Sequence, residues 1–219
     1  MDHNPSRVAM RTVRIPPVGR EGIVGVPAAA KGIVLFAHGS GSGRLSPRNS
    51  FVAQRLRDSG LATLLFDLLT VDEETDRRNV FDIALLSERL LTATAWVRQD
   101  PETAGLAIGY FGASTGAAAA LVAAAAEGTG VAAVVSRGGR PDLAGQALGA
   151  VTAPTLLIVG GDDGVVLGLN RAAFAELRCV KQLSVVPGAT HLFEEPGALD
   201  RVVELARGWF LAHLCEAPT

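Results

Sequence analysis

The stretch Leu106 to Ala126, LAIGYFGASTGAAAALVAAAA, constrains the fold of this chain more than any other. Leu106–Phe111 reads as a buried strand, and Ala117–Ala126 is a strong helix former with no polar face. Between them stands Gly112-Ala113-Ser114-Thr115-Gly116. A strand passes into a helix over so few residues only through a sharp turn that strains the backbone at its central residue. Small flanking residues are needed, because side chains there would collide with the neighbouring strand and helix. Such a turn pushes the Ser114 hydroxyl out at the top of a sheet. A chain with 25 glycines also produces this pattern by chance, as a glycine-lined turn with a capping serine. The strand before and the helix after favour the strained turn.

The rest of the chain repeats this alternation. GIVLFAH (32–38), LATLLFD (61–67), VAAVVS (131–136) and PTLLIVG (154–160) are continuous apolar runs, and KQLSVVP (181–187) is a further strand. Helical spacing falls over Phe51–Gly60, Phe81–Gln99, Leu169–Arg178 and Pro196–Leu214. RTVRIP and EGIVGVP, near the start, look like a short antiparallel lead-in. The pattern predicts an α/β fold, a mostly parallel twisted sheet of about seven to eight strands covered by helices on both faces. One domain over residues 1–219 is expected, with residues 1–10 a candidate disordered tail. Only a short helix fits between VAAVVS and PTLLIVG, so little or no cap domain is expected.

Ligands of such sheets bind beyond the carboxyl ends of the strands. Three of those ends carry chemistry. Ser114 follows one strand, Asp162 and Asp163 follow PTLLIVG, and His191 follows the last strand in GATHLFEEPG. A serine hydroxyl is a poor nucleophile until an imidazole takes its proton, and an aspartate can hold that imidazole in the right tautomer. His191 is the candidate base; the bland alternative is a loop histidine satisfied by backbone. One of the adjacent aspartates would face it while the other makes turn hydrogen bonds. His3 falls in the tail, His213 near the chain end, and His38 is expected to brace the loop that follows it.

Attack on an ester creates an oxyanion that needs fixed donors. One candidate is the backbone N–H of Thr115, and the second is that of Ser40 in HGSGSGR, with Gly41 the next choice. The glycines of that loop also invite a phosphate-binding reading, but the lysine of G-x-x-x-x-G-K-[ST] is missing.

Bulk properties exclude other classes. A net charge of −2 offers no electrostatic footprint for nucleic acid, and no like-charge block suggests a membrane surface. The alanine block is too short to span a bilayer, and the N-terminus lacks the apolar core of a secretory signal. Two cysteines, Cys179 and Cys215, make a poor disulfide framework, so a cytoplasmic home is the default. Four scattered histidines show no metal-ligand spacing, and neither a metal nor a cofactor is expected.

The serine, aspartate, histidine order, with the blocks LFAHGSGSGRLSPRN, GYFGASTGAAAAL, VVSRGGRPDLAG, LLIVGGDD and GATHLFEEPGAL, resembles the α/β hydrolases. Within them the chain is similar to the dienelactone hydrolase-like group. The resemblance runs from about Gly32 onward. It extends to a bacterial subgroup of small hydrolases, some fused to a phosphoribosyltransferase-like domain, which the present residues do not include. It implies an α/β-hydrolase fold, and the G-x-x-D-x-x-V pattern of many such hydrolases favours Asp163 over Asp162. Dienelactone hydrolases proper use a cysteine nucleophile, so Ser114 points to serine-esterase chemistry.

The leading expectation is a serine esterase acting on small or short-acyl esters through an acyl-enzyme. A thioesterase or lactonase would use the same residues, and a non-catalytic binding module would be expected to have lost one of them. Arg44 and Arg48 in the first loop, and Arg137 and Arg140 after VAAVVS, either recognise an anionic substrate group or brace loops through Asp142 and Asp67. The partner expected is a small-molecule ester, with no nucleic acid or membrane, for a monomer or homodimer.

Overall fold

The computed structural model describes residues 8–17 and 19–215. The tail expected over residues 1–10, with His3, lies outside them up to residue 7, and the first strand begins at Ala9. In chain order the elements are β1 (Ala9–Ile15), β2 (Arg20–Val26), β3 (Ile33–Ala37), α1 (Pro47–Asp58) and β4 (Ala62–Phe66). Two one-turn helices, α2 (Val71–Glu74) and α3 (Arg77–Val80), lead into α4 (Ile83–Gln99). β5 (Ile108–Ala113), α5 (Thr115–Ala125), β6 (Val131–Arg137) and a 3-10 helix (Pro141–Ala150) follow. The chain then forms β7 (Thr155–Gly160), α6 (Gly164–Glu176), β8 (Lys181–Val186) and α7 (Ala198–Leu214).

The strands form one sheet in the order β1-β2-β4-β3-β5-β6-β7-β8. β1 pairs antiparallel with β2, and β2 with β4, while every pair from β4 to β8 is parallel. The eight strands, the antiparallel lead-in and the helical layers match the architecture expected from the alternating apolar runs. β3, β4, β5 and β7 are buried at every residue, because helices cover both faces of each.

Alternation along each strand divides the core in two. Ile33, Leu35 and Ala37 of β3 face α4 and α5, packing with Leu90, Val97 and Leu121. Val34 and Phe36 face α1 and α7, packing with Leu56 and Phe210. Each large aliphatic or aromatic side chain removed from water in this way contributes roughly 1.5–3 kcal/mol. The alanines of α5 serve a different end. Ala117 to Ala120 are fully buried, which lets the helix axis lie close against the sheet.

Two helices begin earlier than their apolar spacing suggests. α1 starts at Pro47, because the Ser46 hydroxyl accepts the Asn49 N–H and Pro47 sits in the first turn, where its missing N–H costs nothing. α6 starts at Gly164, directly after Asp163, although Gly164-Val165-Val166 has weak helix propensity. Between β6 and β7 the 3-10 helix buries Ala144 and Leu148 in the core, and no larger cap lies there among the described residues. None of the described helices is long and apolar enough to cross a membrane.

Candidate active site

Ser114 occupies the turn between β5 and α5 with φ 50° and ψ −124°, a backbone conformation that a non-glycine residue adopts only under constraint. The constraint is visible in its neighbours. A Cβ on Gly112 would stand 2.5 Å from the Ala117 Cα, and one on Gly116 would stand 2.1 Å from the Ala37 carbonyl oxygen. Only glycine fits either position. Among the described residues the Ser114 hydroxyl neither caps α5 nor makes another hydrogen bond, while the residues on either side are buried.

His191 and Asp163 come together from the loops after β8 and β7. His191 Nδ1 lies 2.8 Å from Asp163 Oδ2. A carboxylate accepts, so Nδ1 carries the proton and Nε2 is left as the ring's basic nitrogen. Asp163 stands at the N-terminus of α6, yet its carboxylate goes to the imidazole rather than to the helix N–H groups. Asp162 is exposed, and its backbone N–H donates to the Ala189 carbonyl at 3.0 Å. Of the two aspartates left open by the residues alone, only Asp163 bonds the histidine.

The segment Gly138–Arg140, just past β6, touches both halves of this arrangement. The Arg140 N–H donates to the Ser114 carbonyl at 3.0 Å. Gly138 (φ 51°) packs against His191 so tightly that a Cβ there would stand 3.0 Å from the His191 carbonyl oxygen and 3.6 Å from Nδ1. Ser114 and His191 therefore flank one short segment. Among the described residues no hydrogen bond joins the Ser114 hydroxyl to the ring.

Ser40 and Thr115 line one small depression beside Ser114, together with His38, Gly39, Leu69 and Glu74. Leu69 and Glu74 also line a cleft of about 560 Å³ whose other walls include Gly41, Ser42, Leu45 and Val71. The cleft thus opens next to the oxyanion candidates, and Gly41 borders it rather than the depression. The loop Gly41–Ser46 forms much of its wall, and α2 adds Val71 and Glu74. A four-residue helix shows no periodicity, so the part that α2 supplies is invisible in the sequence.

Three of the four loop arginines hold protein carboxylates. Arg44 pairs with both Glu21 and Asp67, and its backbone N–H donates to Asp67 Oδ1 at 2.8 Å. Arg140 grips Asp142 with two bonds of 2.8 Å, and Arg48 reaches Glu194 at 2.9 Å. Arg137 differs. It is 8 % exposed, its Nε has no partner among the described residues, and its guanidinium stands 5.9 Å over the Phe193 ring. Burial, reinforced by the charge of Arg48, lowers its pKa from 12.5 to about 10, which leaves it charged at neutral pH. Among the described residues, no cluster of histidine, cysteine, aspartate and glutamate could hold a metal ion.

The profile of the dienelactone hydrolase family matches residues 21–208. A dienelactone hydrolase from Anabaena variabilis is 54 % identical and superposes with a TM-score of 0.90 over 95 % of this chain and 98 % of that one. A dienelactone hydrolase-like promiscuous phosphotriesterase from metagenomic libraries is 20 % identical, with a TM-score of 0.77 over 94 % of this chain and 98 % of its own, a likeness of fold. A Mycobacterium tuberculosis protein provisionally named a phosphoribosyl transferase is 62 % identical over 199 residues, which is 91 % of this chain and 45 % of that protein. The chain thus spans about half the length of that relative.

Proposed function

The chain belongs to the dienelactone hydrolase family and shares its α/β-hydrolase fold, and on that basis we propose that it is a serine esterase hydrolysing small or short-acyl carboxylic esters. In this reading Ser114 Oγ attacks the ester carbonyl while His191 Nε2 takes its proton. The carbonyl oxygen becomes an oxyanion held by the Thr115 and Ser40 N–H groups. As the intermediate collapses, the C–O bond breaks, His191 returns the proton to the leaving alcohol, and an acyl-enzyme remains on Ser114. Water, deprotonated by His191, then releases the acid and restores the hydroxyl. Asp163 keeps Nδ1 protonated and stabilises the imidazolium formed in each half-reaction.

One observation supports this reading: a strained, uncapped serine and an aspartate-bonded histidine each contact the segment Gly138–Arg140. The exposed site without a large cap supports small substrates over long acyl chains. Initial rates on p-nitrophenyl acetate, butyrate and octanoate test it, with Ser114→Ala as control. Rates that fall with chain length and vanish in the variant support the proposal. Equal rates in wild type and variant sink it.

A lactone is the second substrate to try, since both the family and the Anabaena relative are named for a lactone. The phosphoribosyl transferase name belongs to proteins of more than twice this length and is not carried over. Arg137 is, of the four loop arginines, the one that is buried with a nitrogen unpartnered among the described residues, and it is the one to which we assign a preference for an anionic ester. Arg137→Ala would then raise KM for anionic esters alone, and equal loss on neutral ones removes that preference.

A further inference from the structure

His38 is fully determined as a proton donor and acceptor. It is 5 % exposed. Its Nδ1 lies 3.1 Å from the Gly39 carbonyl oxygen, which can only accept. Its Nε2 lies 2.9 Å from the Leu68 backbone nitrogen, which can only donate. The ring is therefore neutral, with its proton on Nδ1, and it ties the loop after β3 to the loop after β4.

The bond to Gly39 has a geometric consequence. A peptide unit is planar and trans, so the carbonyl of one residue and the N–H of the next point in opposite directions. The Gly39 oxygen is held from one side by His38 Nδ1–H and by the Ser42 N–H at 3.2 Å. The Ser40 N–H, on the same peptide, must point the other way. It donates no hydrogen bond among the described residues. Ser40 lines the same depression as Thr115. We infer that His38 is a positioning residue for ester hydrolysis at Ser114: its Nδ1–H and the Ser42 N–H lock the Gly39–Ser40 peptide so that the Ser40 N–H is presented to the oxyanion. The inference rests on the esterase reading for the identity of the oxyanion.

The two bonds can be separated by substitution. In His38→Asn the amide NH2 stands near the former Nδ1 and keeps the donor to Gly39. In His38→Gln the amide oxygen stands near the former Nε2 and keeps the acceptor for Leu68, but the donor to Gly39 is lost. Kinetics on p-nitrophenyl acetate and the rate of Ser114 labelling by a fluorophosphonate, whose phosphoryl oxygen enters the same hole, are measured for both. Losing one oxyanion donor outright costs about 100- to 1,000-fold in kcat, so losing only its brace should cost about 10- to 100-fold. The expected result is that loss in kcat for Gln, with KM within about twofold, a parallel fall in labelling, and recovery of a third or more of kcat by Asn. Equal losses in both variants, or a loss confined to KM, would overturn the role. A wild type inactive on every ester defeats the esterase reading instead. Labelling then decides on His38 by itself, with equal rates in wild type and Gln counting against it.

Discussion

Gly39 faces Ser114 so closely that a methyl group in place of its hydrogen would stand 2.7 Å from the Ser114 Cβ and 3.5 Å from Oγ. The loop after β3 and the strained turn thus pack tightly together, each limiting where the other can lie. Gly39→Ala should therefore reduce kcat by about 100-fold or more, comparable to losing an oxyanion donor. Kinetics beside a thermal melt check this, and an active alanine variant would mean that the two loops are not in register during the reaction.

The His191–Asp163 pair gives a contrast between neighbours. Asp163→Asn exchanges an acceptor for an amide and permits the wrong imidazole tautomer, so kcat should fall by about a thousandfold or more. Asp162→Asn, on an exposed side chain that bonds nothing in the site, should remain within about threefold. Reversed effects would reassign the acid.

His38 predicts a stability that depends on pH. Burial lowers its pKa from the ordinary value of 6.5, with the Gly39 bond and the charges of Asp67 and Glu74 opposing. Below about 6.5 the unfolded chain binds a proton that the folded ring refuses, so the contribution is present above that pH and is lost as pH falls toward the folded pKa. The slope attributable to His38 reaches about 1.4 kcal/mol per pH unit at most. Urea midpoints between pH 7.5 and 5, in wild type and His38→Asn, should show the steeper acid decline in wild type. Parallel curves would mean that the ring accepts the proton in place.

The alanine helix predicts an overpacking penalty. Ala119 is fully buried where α5 lies on the sheet, and Ala119→Leu adds three carbons with nowhere to go. A loss of about 1–3 kcal/mol is expected from denaturant unfolding. A neutral result would mean that α5 can move outward.

Much of this was legible because burial on both faces leaves a strong mark. β3, β4, β5 and β7 read as unbroken apolar runs, and Ser114, Asp163 and His191 each stand directly after a strand, where an open α/β sheet places its ligands. The start of α6 was hidden because Gly164-Val165-Val166 has low helix propensity and tertiary packing overrides it. Asp163 over Asp162 rested on a family pattern, since two adjacent aspartates carry the same chemistry. The arginines were open for a different reason. Arg48 finds Glu194, 146 residues away, and Arg44 finds Asp67 and Glu21, each 23 away, and pairings across loops leave no periodic trace.

Arg44 links three stretches of chain: its own loop after β3, Asp67 at the end of β4, and Glu21 in β2. Because all three side chains are partly exposed, this anchor is open to screening by dissolved ions, unlike the strand pairing beneath it. The β1–β2 ribbon is held to the sheet by backbone hydrogen bonds but to the cleft by charge. Added salt is therefore expected to loosen the mouth of the cleft, while leaving the turn that holds Ser114 in place.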